Sequence, residues 1–429
     1  MFDDKPRWNR RMARYMKKRL AELRLDEVSD PRDARGLRWR LPVVLSTLVV
    51  AMMAGAKSLL DVERLTTEIS APLLRLLSIP RRLPDTTARN ILCGLDPTQI
   101  RARLYAEVRA AHRRKALEPQ DLPFGVATMD GKGTALPSCD DLYAQRQTAA
   151  GPLVGVLRTM TAALVSSRAK PCLDASPIPA LTNEMGHFPT ALDELCAAYG
   201  HLDLFRLLTY DSGACSRANA AYVRSKRLDY LFALKGTQPT LETEAKRLLA
   251  GRAPGHADAW SEDVRNGHVV VRRVYLTEEM AGYDDWDHLA TVLRVESETR
   301  DARGHRIAHD ERYFIASLAR HELRDAQWLT VTRLHWGVEN NVHNTLDTVF
   351  MEDDHPWIEA DPKGALIVAL LRRLAFNLML FFRCVTQRSE DRRAMPWAHL
   401  VHAVWLALVR TAADDLRSTP VRATTVAPA

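Results

Sequence analysis

Two short runs, FGVATMDGKG (Phe124 to Gly133) and LFRLLTYDSGA (Leu204 to Ala214), share one construction: an apolar stretch ends in an aspartate and small residues follow. Helix-like segments separate them from each other and from a third apolar run, DYLFALKG (Asp229 to Gly236). PTALDELCAAYG has Gly200 as a natural stop, and SRANAAYVRSKR has Ser216 as a cap. Strands that alternate with helices imply an α/β layer containing parallel pairs. Asp-Gly in isolation is a strong hairpin signal, so Asp130 taken alone would begin a turn. In an α/β layer the C-terminal ends of parallel strands are where ligands gather. If the two strands are neighbours, Asp130 and Asp211 lie side by side.

The flanking sequence has a different texture. Residues 1–118 read as helices, among them the basic amphipathic RRMARYMKKRLAELRL and the apolar LPVVLSTLVVAMMAGA. Asp85 and Thr86 are in position to cap the helix that follows IPRRLP. EPQDLP (Glu118 to Pro123) is a plausible linker, and PLVGVLRTMTAALVS a further strand. GHVVVRRVYLT, TVLRVESE and RYFIASL follow one another without helices between them, which suggests an inserted antiparallel region. From Asp325 the pattern is helical again. LIVALLRRLAFNLMLFF carries Arg372 and Arg373 at its middle, so it reads as a buried helix and no membrane partner is expected.

Charge is unevenly spread. The chain has a net charge of +7, and its first 40 residues hold thirteen Lys or Arg against seven Asp or Glu, a surplus of six. HRRK (His112 to Lys115) forms a second basic cluster. Concentrated positive charge is either a solvated helix face or a surface for phosphates. The six cysteines (Cys93, Cys139, Cys172, Cys196, Cys215, Cys384) contain no CxxC pair. That argues against a zinc ribbon or a disulfide framework and fits a reducing compartment. The first residues have no apolar core of a signal peptide, so a cytoplasmic, nucleoid-associated protein is expected.

A third acid stands in RLHWGVENNVHNTLDTVFMEDD. At four-residue spacing His335, Glu339, His343 and Asp347 fall along one helix face, with Val338, Val342 and Leu346 on an apolar face beside it. Such a stripe is commonly a solvated face, yet Leu334, Trp336 and three asparagines around it suit the wall of a polar cleft. The two histidines lack the HExxH spacing of zinc hydrolases. Three carboxylates, two on strands and one on a helix, better match oxygen-only coordination of Mg²⁺ or Mn²⁺.

These residues resemble the DDE-type insertion-sequence transposases, specifically the H-repeat-associated group with a ribonuclease-H-like catalytic core. The likeness covers nearly the whole chain in order. It takes in DPRDARGLRWRLPVVLSTLVVAMMAGAKSLLDVERL and LPDTTARNILCGLDP, then MDGK, TNEMGHFPTALDEL and LTYDSGACSRANAAYVRSKRLDYLFALKGTQPTL. It ends on RLHWGVENNVHNTLDTVFMEDD, the most specific match. The resemblance implies an α/β fold: a ribonuclease-H-like mixed sheet core with an inserted antiparallel β region, preceded and followed by helices. It divides the chain into a helical DNA-binding region (1–118), the first part of the core (119–240), the β-rich insertion (241–324), the second part of the core with the glutamate helix (325–385), and a C-terminal helix and tail (386–429).

Carried over residue by residue, the resemblance makes Asp130, Asp211 and Glu339 the catalytic, metal-binding triad for two Mg²⁺ or Mn²⁺ ions. Lys132, Lys235, Gln238, Arg333, His335 and Trp336 are then expected to face DNA, with Arg10, Arg11, Arg14, Lys17 and Lys18 of the basic N-terminal helix. The implied partners are double-stranded DNA, both terminal inverted repeats and target, and a second copy pairing two ends as a homodimer. The chain departs from the family at Gly133, where threonine is usual, and at Thr237, where asparagine is common. Two alternatives follow from such departures: a DNA-binding relative that no longer cuts, and a metal-dependent nuclease without strand transfer.

Overall fold

The computed structural model describes residues 5–417 apart from 34, 36, 137–143 and 148–153; Cys139 and the segment following Leu136 lie outside the described residues. Six helices come first: α1 (Lys5–Glu22), α2 (Leu41–Met53), α3 (Leu59–Glu68), α4 (Ala71–Leu77), α5 (Asp85–Gly94) and α6 (Pro97–Arg113). Strands β1 (Val126–Leu136), β2 (Ala144–Gln147), β3 (Val154–Leu164) and β4 (Cys172–Pro177) follow. Helices then alternate with strands: α7 (Glu184–Tyr199), β5 (Leu207–Tyr210), α8 (Arg217–Ser225), β6 (Asp229–Leu234) and α9 (Pro239–Leu249). Four strands come next, β7 (Ala259–Arg265), β8 (His268–Thr277), β9 (Thr291–Arg300) and β10 (Arg306–Ala316). The chain closes with α10 (Asp325–Leu334), a π-helical turn (Val338–His343), α11 (Asn344–Thr348), α12 (Pro362–Phe381), α13 (Glu390–Arg393), α14 (Trp397–Arg410) and α15 (Ala413–Leu416).

All ten strands form one mixed sheet, in the order β2-β3-β1-β5-β6-β10-β9-β8-β7, with β4 also paired to β3. β1 is antiparallel to β3 and parallel to β5, and β5 is parallel to β6. The alternation expected between Phe124 and Gly236 is therefore present, with Gly200 ending α7 and Ser216 capping α8 through Asn219 N–H. The antiparallel strands are continuous with this sheet: β10 pairs with β6, so the insertion widens the sheet instead of standing apart. β1, β5 and β6 are buried on both faces at their parallel pairings, as strands covered by crossover helices must be.

The basic N-terminal helix is a docked element, not an arm. Met12, Tyr15, Met16 and Leu20 of α1 are buried, Tyr15 Oη donates to the Leu378 carbonyl at 2.7 Å, and Trp8 and Tyr15 meet Phe382 edge-on. Asp85 and Thr86 are not the cap of α5. Asp85 is its first residue, and the Glu63 carboxylate accepts the Asp85 N–H at 3.1 Å. The apolar segment around Arg372 and Arg373 is α12; every residue but Lys363 is buried, against α2, α5, α6 and the sheet.

Candidate active site

Asp130 is at neither a hairpin nor a strand end. β1 runs on through Gly131-Lys132-Gly133, because β3 remains its antiparallel partner, Asp130 opposite Thr161. What ends near Asp130 is the parallel neighbour: Thr128 opposite Thr209 is the last β1/β5 pair. Asp130 and Asp211 each stand two residues beyond that pair, so they are level, and a period of two puts each on the same face as its threonine. Asp211 is exposed, and its Oδ1 accepts Gly213 N–H at 2.8 Å in a local turn.

The glutamate segment is bolted to those two threonines. Thr209 Oγ1 lies 3.1 Å from His335 Nδ1, and Thr128 Oγ1 donates to the His335 carbonyl at 3.1 Å. The helix then widens, with Asn344 N–H donating to the Glu339 carbonyl five residues back. An α-helix rotates a four-residue repeat by about 40° per step, and a π-turn counter-rotates it. The stripe thereby stays on the sheet side: His335 meets Thr209, His343 Nδ1 lies 3.4 Å from Asp130 Oδ2, and Asp347 meets Lys132. Val338, Val342 and Leu346 are buried beside it, as their spacing indicated.

Asp130, Asp211 and Glu339 line one cleft of about 450 Å³, with Lys235, Lys246, Arg312, His335 and Trp336 among its other walls. No cationic side chain is paired with any of the three acids among the described residues, a histidine contact to Asp130 aside. Lys246 is engaged by Glu242 at 2.6 Å, and Arg312 by Asp310 at 2.6 Å while it lies over the Trp336 ring. Among the described residues no three His, Cys, Asp or Glu side chains, the three acids and the two histidines included, are drawn together on one point. Asp130, Asp211 and Glu339 are the residues that would hold a hard cation in this cleft. The unneutralised all-oxygen donor set fits that chemistry.

Several side chains expected to face DNA are otherwise employed. Lys132 is buried between Asp347 (2.6 Å) and Asp353 (3.0 Å). Burial works against its charge, but Glu352, Asp347 and Asp353 together hold the ammonium above its ordinary pKa. Gln238 Nε2 donates to the Cys215 carbonyl at 2.9 Å, bracing the loop after Asp211. His335 is buried, and that burial pushes its pKa down to about 4 despite the nearby Asp130 charge, so it faces the cleft as a neutral ring. Arg333 pairs with Asp263 at 3.0 Å and borders a groove of about 400 Å³ that shares Arg312, Trp336 and Glu339 with the cleft. On α1, Arg10 and Arg11 donate to the Arg417 and Thr386 carbonyls, while Arg14, Lys17 and Lys18 are exposed. Lys235 is exposed at the cleft with no ion pair among the described residues.

Two residues at the site were not singled out from the sequence as parts of it. His343 was visible only as part of the stripe. Glu184 stands in TNEMGHFPTALDEL, which entered only as part of the family resemblance; at the start of α7 its Oε1 accepts both Gly131 N–H (3.0 Å) and Tyr210 O–H (2.7 Å). Burial raises its pKa, and the Asp130 and Asp211 charges push the same way.

Compared with known proteins, the chain is similar to proteins whose names include transposase. A family model described as DDE_Tnp_1-associated matches residues 23–106, from the end of α1 into α6. YhhI of Escherichia coli strain K12, whose name places it among H repeat-associated transposases, is 26% identical over 384 residues, covering 86% of this chain and 93% of YhhI. The chain is similar along most of its length to this H repeat-associated protein. An uncharacterised Xanthobacter autotrophicus protein is 29% identical over 137 residues, 30% of this chain and 46% of that protein, so the chain spans less than half of that relative. Among solved structures, a piggyBac transposase synaptic complex with hairpin DNA aligns with 94% of this chain and 79% of its own, at TM-score 0.41 and 11% identity.

The buried His335 makes a prediction of its own. Its folded pKa lies below the ordinary 6.5, so the unfolded chain takes up a proton first. Stability present above pH 6.5 drains as the pH falls toward 4, by on the order of 3 kcal/mol from this group. Denaturant titrations across that window should show a steeper loss for wild type than for His335→Asn, which cannot titrate.

Proposed function

We propose that this protein is a DNA transposase that cuts DNA at the ends of an insertion sequence and joins the freed ends to target DNA. The observation that carries it is the level placement of Asp130 and Asp211 opposite Glu339 in one cleft, with no Lys or Arg paired to any of them among the described residues. The strand order β4-β3-β1-β5-β6, three antiparallel strands then two parallel to β1, supports a ribonuclease-H-like core.

In this reading Asp130, Asp211 and Glu339 would together hold two Mg²⁺ or Mn²⁺ ions. When bound, the ions activate the attacking oxygen and neutralise charge on the leaving oxygen. The chain's own part is to hold the acids level, aim the scissile phosphate with Lys235 and Arg312, and keep Trp336 as an apolar wall. Water attacks first; the freed 3′-hydroxyl then attacks target DNA at the same site. No covalent enzyme–DNA bond is needed, and no Ser or Tyr nucleophile is assigned. Arg14, Lys17 and Lys18 on the open face of α1 supply phosphate contacts, with salt-sensitive affinity. Two copies pair the two ends.

Purified protein, Mg²⁺, DNA bearing the element's own terminal repeats and a target plasmid test this directly. Cut ends plus joined products are expected. Cut ends alone would reduce the protein to a nuclease, and binding without either product would leave it a DNA-binding relative. Lys235→Ala should weaken DNA binding similarly across sequences and lower the salt slope of log K by about 1, read by fluorescence anisotropy.

A further inference from the structure

β5 leaves β1 after the Thr128–Thr209 pair, so the β1 edge bearing Asp130 and Gly131 loses its strand partner where the acids stand. A backbone N–H freed in this way needs another acceptor. Glu184 supplies it: one carboxylate oxygen takes Gly131 N–H at 3.0 Å and Tyr210 O–H at 2.7 Å. Gly131 is the residue after Asp130, and Tyr210 the residue before Asp211. The other oxygen packs against Gly131, where a Cβ would lie 2.1 Å from it, so only glycine admits this approach. The brace is itself held from behind. Asn183 caps α7 through Gly186 N–H, and one turn on, Phe188 stacks on the Tyr210 ring at 5.1 Å.

We propose that Glu184 is a positioning residue that sets the separation and level of Asp130 and Asp211 by tying their strand neighbours to one oxygen. The inference rests on the metal-dependent reading of the cleft. The role assigned to Glu184 runs through Oε1, which accepts both bonds. What the two donors require is an acceptor oxygen, not a charge, and glutamine retains one.

Full-length Glu184→Ala, Glu184→Gln and Tyr210→Phe would be compared with wild type by calorimetric Mn²⁺ binding without DNA and by kcat and KM for cleavage in Mg²⁺. Alanine is expected to weaken Mn²⁺ binding and lower kcat by on the order of 10–100-fold, the usual cost of losing a support behind a metal ligand, with KM for DNA little changed. Glutamine should restore most of that loss, and Tyr210→Phe, which removes one of the two bonds, should fall between. If glutamine is as impaired as alanine, the charge is what matters and the positioning role is overturned. If alanine binds Mn²⁺ and cleaves like wild type, the brace has no role. Should alanine fail to fold, Tyr210→Phe decides by the same readouts. Failure of wild type itself to bind Mn²⁺ would overturn the metal reading first, a result distinct from either of these.

Discussion

Asp130→Ala should lower Mg²⁺-dependent cleavage by on the order of 10³-fold or more while leaving DNA binding in chelator within about twofold. The size follows from its place in the proposed site, where Asp130 would hold metal together with Asp211 and Glu339. Metal-ion stabilisation of a developing charge supplies several kcal/mol, and each 1.36 kcal/mol is about tenfold in rate. The loss should not come from unfolding. Asp130 is half-exposed, its ladder to β3 is made by backbone, and its side chain meets His343 at 3.4 Å. A surface change of that kind moves stability by about 0.5 kcal/mol or less. Chelator should silence wild type to the same degree. If Asp130→Ala nicks end-bearing DNA at the wild-type rate, the triad is not the catalytic centre.

The parts of this site legible in the sequence are those that local chemistry fixes. Apolar runs ending in Asp130 and Asp211, separated by capped helices, dictate parallel neighbours, and the four-residue stripe of Glu339 marks one face. What escaped is non-local. Lys132 looks like a phosphate ligand until Asp347 and Asp353 arrive from more than 200 positions away to bury it. The basic surplus of α1 suggests a free arm, but its other face carries Met12, Tyr15 and Met16 into the core. The π-turn leaves no mark on periodicity, because four-residue spacing suits either helix. β7 alternates exposed with half-buried positions at the sheet edge, and β4 is a six-residue buried strand; neither has a run of β-formers long enough to register. Glu184 is the sharpest case, since nothing near it in sequence points to Gly131.

The largest stability effect is expected at Glu352, behind the site. Its Oε1 accepts Arg373 Nη1 at 2.7 Å, both side chains are about 1% exposed, and Arg373 sits in the fully buried α12. Arg372 lies next to it, its pKa pulled down to about 10, chiefly by burial. Glu352 also adds its charge to those of Asp347 and Asp353 in favouring the Lys132 ammonium. Glu352→Ala would therefore strand two buried guanidiniums and loosen the lysine that ties β1 to the glutamate segment. Removing one partner of such a pair costs about 3–5 kcal/mol, a large share of the roughly 5–15 kcal/mol a domain has. Glu352→Met combined with Arg373→Met should recover most of the loss, because apolar replacements of both partners are often neutral. Denaturant unfolding of the single and double variants measures this directly. Equal losses in the two would mean that the cost comes from packing volume and not from the unpaired charge.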